Sequence, residues 1–126
     1  MNKKIVSIVR IIFGLLLIAG GIMAFMNLPI PEGYPEKSVA FLQAMTNTGY
    51  FNYFIGIVEI LVGLMFVSRR YVALGAIILA PITVNIIMFH IFLDLKTILP
   101  GLVLFALNIF IAYTEWDKYK MILKSR

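Results

Sequence analysis

FNYFIGIVEILVGLMFV-SRR-YVALGAIILAPITVNIIMFHIFL, residues 51–93, is the stretch whose reading decides the fold. Two apolar runs are separated only by Ser68, Arg69 and Arg70. Each run falls in the range of about 17 to 25 residues that carries a helix across a bilayer at about 1.5 Å per residue. Three polar residues between them leave room only for a tight antiparallel hairpin. Pro81 interrupts the second arm, so the Ile77 carbonyl loses its usual partner and a kink is expected there.

Working outward, a first apolar run covers about residues 5–28 and ends before Pro29 and Pro31, which hold the chain extended. The long connection that follows contains Pro35, able to open a short helix with Val39, Leu42 and Met45 at helical spacing and Gly49 as its stop. Such a helix would lie on the outer membrane surface. After the hairpin, a fourth run spans about residues 97–113, with Pro100 tolerated in its first turn, and a basic tail carries Lys118, Lys120, Lys124 and Arg126. The expected architecture is all-α: one transmembrane domain, residues 1–126, forming a four-helix bundle with spans of about 5–28, 51–67, 71–93 and 97–113. Lys3 and Lys4 before an apolar run also suit a signal peptide, but the run continues to Leu28, longer than the usual 7 to 15 residue core, so an uncleaved first helix is expected.

Composition agrees. Of 126 residues, 62% are hydrophobic and only 13% charged, and the mean hydropathy is +0.99, far above that of water-soluble domains. Nine of the eleven Lys and Arg fall at the N-terminus, the hairpin turn and the tail, against Lys37 and Lys96 on the other side. That asymmetry places both termini in the cytoplasm and accounts for the net charge of +5 without a nucleic-acid partner. Tyr50 and Tyr53 at one boundary, and Tyr71, Tyr113, Trp116 and Tyr119 at the other, suit two aromatic belts. With no cysteine, disulfides, thiolate chemistry and Cys-ligated metal centres are excluded.

Polar groups in hydrocarbon are costly, about 2.5 to 3.5 kcal/mol for a central Arg or Asp, so each needs a reason. Arg10, Glu59, Asn85, His90 and Asn108 qualify. By counting from the span ends, Glu59 lies at the midplane, with Asn85 about 5 Å outward and Asn108 about 4 Å inward. The three share one layer, and Arg10, about 10 Å to its cytoplasmic side, is a candidate ion-pair partner for Glu59. The set reads either as a network fixing helix register or as a site in which Glu59 accepts protons or holds the head of a lipophilic ligand. His90 stands one turn before Asp94 on one helical face, where a carboxylate would orient the imidazole for proton exchange or quinone hydrogen bonding, or where it would simply sit at the wet interface. A metal needs three or four ligands, and only His90, Asp94 and Glu32 or Glu36 are on that side, so none is expected. Gly14 and Gly21, and likewise Gly56 and Gly63, lie seven apart and on one face of their helices, as close helix packing requires. No triad, phosphate loop or nucleotide fingerprint is present, so catalysis by this chain alone is not expected.

Arg10-Ile-Ile-Phe-Gly14, Gly21, Gly56-Ile-Val-Glu59-Ile-Leu-Val-Gly63 and Val84-Asn85-Ile-Ile-Met-Phe-His90 together resemble the DoxX and DoxX-like family over nearly the whole chain. The resemblance implies a small four-helix protein of the bacterial cytoplasmic (inner) membrane. It also implies an accessory or anchor subunit of a quinone-linked redox complex or a stress-response complex, with a membrane or periplasmic redox partner. Quinone is the cofactor it suggests. Members commonly carry a Lys three residues after the second glycine of the first helix, where this chain has Ala24. Two other readings stand beside it: a small proton-coupled transporter using Glu59, and a purely structural membrane interaction protein. The ligand candidates are Arg10, Glu59, Asn85, His90, Asp94 and Asn108; oligomeric state is left open, a homo-oligomer included.

Overall fold

The computed structural model describes residues 2–125. Six α-helices follow one another: α1 (Lys3–Met26), α2 (Glu36–Asn47), α3 (Phe51–Ser68), α4 (Val72–Leu93), α5 (Ile98–Thr114) and α6 (Trp116–Leu123), with a 3-10 turn at Leu95–Thr97 leading into α5. Among the described residues four helices are long and apolar enough to cross a membrane, namely α1, α3, α4 and α5 with its 3-10 turn. The chain is therefore a multi-pass, all-helical membrane protein.

Helix ends depart from the expected boundaries for local reasons. α1 starts where Asn2 caps it, its Oδ1 accepting from the Lys4 N–H at 2.9 Å. It stops at Met26 rather than Leu28 because Asn27 turns into the left-handed region at φ 46°. Arg69 (φ 60°) and Tyr71 (φ 57°) make the hairpin turn in the same region. α6 was not expected: the residues after the fourth run read only as a basic tail. Its Tyr119 is buried, and the hydroxyl donates to the Ala73 carbonyl at 2.6 Å, which docks the helix on the start of α4.

The closest helix pair is α1 with α3. A β-carbon on Gly14 would come within 2.8 Å of the Gly63 carbonyl oxygen, and one on Gly63 within 2.6 Å of the Gly14 oxygen. Gly21 and Gly56 repeat the arrangement at 2.6 and 2.8 Å. These reciprocal approaches lock two antiparallel backbones into one register, as small residues do where lipid removes any hydrophobic drive between helices. α4 and α5 form the second close pair, and α3 joins the two through Gly75, whose missing side chain admits the Phe66 ring and Met65. Phe13, Leu17, Val62, Phe66, Val72, Ala76, Leu79 and Ile111 make the central core.

One polar cluster sits in that core. Asn108 Oδ1 accepts from Thr83 Oγ1 at 2.8 Å and its Nδ2 donates to the Ala76 carbonyl at 3.2 Å. Pro81 lies inside α4 and withholds the N–H that would meet Ile77, so Asn108 puts its amide on the α4 turn that the proline loosens. Both termini come to the same end of the bundle, where Lys3 and Val6 share a cavity with residues 113–117.

Candidate functional site

At the opposite end, α1 gives way to a segment held extended by Pro29 and Pro31, and α2 folds back over α4 with the Phe41 ring 5.4 Å from Phe89. These pieces and the outer ends of α3 and α4 line an open cavity of about 390 Å³. Met23, Ala24, Leu28, Leu42 and Phe89 supply apolar wall, and two polar groups also line it. A mostly apolar space with a few fixed polar atoms is the usual form of a small-molecule site.

The first polar group is His90 with the α4 terminus. Asp94, buried at the helix end, accepts on Oδ2 from Thr97 Oγ1 at 2.6 Å. His90 Nδ1 lies 3.2 Å from the Asp94 carbonyl oxygen and 3.3 Å from Thr97 Oγ1. Since Thr97 spends its proton on Asp94, both neighbours of Nδ1 are acceptors, and Nδ1 must carry the hydrogen. In the neutral ring, Nε2 then keeps its lone pair. The expected carboxylate-to-imidazole contact is thus replaced by a relay: Asp94 holds Thr97, and Thr97 with the Asp94 backbone holds the ring. The reason is that Asp94 has left the helix, at φ −156°, so its side chain no longer projects one turn along from His90.

The second group lies on α1 and α3. Asn27 Nδ2 donates to the Tyr53 hydroxyl at 2.9 Å, while Asn52 Nδ2 donates to Asn27 Oδ1 at 3.2 Å and to Thr46 Oγ1 at 3.0 Å. Asn52 spends its amide N–H groups on this network, and among the described residues its Oδ1 has no partner. Sequence reasoning missed Asn27, Thr46, Asn52 and Thr97. Asn27 before the prolines, and Thr97 three residues after Asp94, were the available signals, both obscured by lying at span ends where polar residues are ordinary.

The other expected residues are scattered. Arg10 and Glu59 do not pair. The Glu59 carboxylate lies against Gly20, 3.1 Å from where a β-carbon would stand, and Gly20 is ten residues, about 15 Å, along α1 from Arg10. The glycine register fixes that separation, beyond the reach of an arginine side chain. Arg10, 8% exposed, instead donates from Nε to the Phe66 carbonyl at 2.8 Å. Asn85 faces outward from the bundle, whereas Asn108 faces inward, so the single layer of Glu59, Asn85 and Asn108 does not form. Ala24 lines the cavity, so the position at which the resemblance implies a Lys is in the wall of this site.

A family model described as DoxX matches residues 5–92. Comparison with curated proteins and with solved structures gave no match.

Proposed function

The chain belongs to the DoxX family, and from that premise we propose that it serves as an accessory or anchor subunit of a redox or stress-response complex in a bacterial cytoplasmic membrane. Both termini face the cytoplasm, following the Lys and Arg asymmetry. Its own chemical part is to hold the hydroxyl head of the reduced, quinol form of a lipophilic, quinone-like molecule in the cavity between α1, α2 and α4.

The observation that carries this reading is His90, presented with a fixed tautomer at the edge of a mostly apolar cavity. The residues fit such a head group: apolar walls for the ring, with His90, Asn52 and Asn27 in the lining. A quinone, when bound, would supply the electron-carrying chemistry. His90 accepts a hydrogen bond at Nε2, or donates one there when protonated, while Thr97 and the Asp94 carbonyl hold the ring in place. Ala24 keeps this wall uncharged, which suits a neutral ligand.

Native mass spectrometry with lipid extraction tests the reading on the detergent-purified protein and on His90→Ala and Ala24→Lys. A co-purifying quinone that both changes remove is expected. A quinone retained in His90→Ala, or none in the parent, would overturn it.

A second reading rests on Glu59, a mid-span carboxylate with no hydrogen-bond or ion-pair partner among the described residues, as a proton-coupled carrier would require. Glu59→Gln separates the two: it leaves quinone retention unchanged under the first and abolishes proton-driven flux in vesicles under the second.

A further inference from the structure

The end of the bundle that carries both termini holds a second cavity, of about 540 Å³, to which the family and the proposed site assign nothing. Arg10 lies in its wall, buried, with Nε spent on the Phe66 carbonyl, a last-turn carbonyl that the Arg69 N–H reaches only at 3.4 Å. That bond fixes the guanidinium plane. Among the described residues the Nη nitrogens have no hydrogen-bond partner, so they remain available to the cavity. Lys3 and Arg69 add two more cations to the lining. Two carboxylates also line it: Glu115, paired with Lys118, and Asp117, which is almost fully exposed, screened by solvent and 3.5 Å from Lys120. Ser7 offers a hydroxyl, Thr114, which donates its proton to the Ile111 carbonyl at 2.6 Å, offers an acceptor oxygen, and Trp116 offers an amphipathic ring at the membrane boundary.

A fixed, partly free guanidinium with two supporting cations is the donor set that recognises a phosphate. We infer that this cavity binds a phosphate-bearing anion, namely the phosphodiester head group of an anionic phospholipid of the adjoining leaflet. The volume exceeds that of a lone phosphate and leaves room for glycerol, and the interfacial aromatic residue places the opening at head-group depth. Arg10, Arg69 and Lys3 grip the phosphate, Ser7 and Thr114 meet the glycerol hydroxyls, and the acyl chains stay in the bilayer.

Trp116, the only tryptophan in the chain, lines the cavity and reports on it directly. The protein is reconstituted in phosphatidylcholine bilayers containing increasing fractions of brominated phosphatidylglycerol or brominated phosphatidylcholine, and quenching of Trp116 is followed. Preferential, saturable quenching by phosphatidylglycerol is expected. Arg69→Gly, which removes a charge and suits the left-handed backbone at that position, lowers the preference about fivefold. Arg10→Gln lowers it at least tenfold, in line with loss of a hydrogen-bonded charge, and Lys124→Gln, in the tail outside the cavity, leaves it unchanged. Inorganic phosphate added to pure phosphatidylcholine bilayers distinguishes the sources: a saturable Trp116 response that Arg69→Gly weakens, with no lipid preference, assigns the same site to free phosphate. Equal quenching by the two lipids with no phosphate response overturns the inference, as does a lipid preference that survives in Arg69→Gly, a variant that keeps the inference testable if Arg10→Gln fails to fold.

Discussion

Replacing Gly21 by Ala should separate α1 from α3, and the structure sets the size of the effect. The new β-carbon would stand 2.6 Å from both the Gly56 carbonyl oxygen and Ile60 Cγ1. Ordinary contact needs about 3.4 Å or more, so the helices must part by about 0.8 Å. The oxygen belongs to backbone and cannot rotate aside. A gap of 0.5 to 1 Å forfeits about a quarter to a half of each dispersion contact at the crossing. We expect a loss of about 1 to 3 kcal/mol, the range for overpacked interiors. Gly56→Ala should cost a similar amount, since its β-carbon meets the Gly21 oxygen at 2.8 Å and the Phe25 ring at 3.0 Å. The double variant should cost less than the sum, because the helices have already moved apart. The assay is reversible unfolding by sodium dodecyl sulfate in mixed micelles, read by far-ultraviolet circular dichroism, with outward-facing Ala19→Leu as the control near zero. Additive costs, or a Gly21→Ala change under about 0.5 kcal/mol, would refute the claim that backbone contact sets this crossing.

Asn108→Leu removes both hydrogen bonds of the core polar cluster and should cost about 0.6 to 1.7 kcal/mol by the same unfolding assay, the range for hydrogen bonds between membrane helices. Adding Thr83→Val should cost little more, because the hydroxyl has already lost its partner across the helix pair. Burial first, and then the Glu115 charge, hold the Tyr119 phenol above the usual tyrosine value of about 10. A proton held more tightly in the folded state stabilises α6 docking below about pH 10, and that contribution is lost as pH rises past it. Alkaline titration of Trp116 emission should therefore show a transition above about pH 10 that Tyr119→Phe abolishes; an identical curve in the variant would show that the phenol does not hold the helix. Asn85→Leu should leave stability unchanged or raised, since its amide faces outward from the bundle; a clear loss in the unfolding assay would mean that another group satisfies it.

Sequence alone was enough for the membrane architecture, because length and apolarity of a span are local properties and a bilayer imposes the same demand on every segment. The paired glycines were legible for a similar reason: helical spacing shows which residues share a face. How far one helix slides along another is not written in either helix. Arg10 and Glu59 looked close when each was measured from its own span end, yet the Gly14–Gly63 and Gly21–Gly56 contacts set a register that places them about 15 Å apart. Asn85 had a defined depth but no defined direction until α4 packed on α5. The cavity at the outer end was least visible of all, since Asn27, Thr46, Asn52, His90 and Thr97 belong to separate segments and only the fold of α2 and the proline-held connection over the bundle brings them together. The sequence by itself determined what crosses the membrane, because burial in lipid acts on each segment alone; tertiary structure decided which polar groups meet, because that depends on contacts between backbones far apart in the chain.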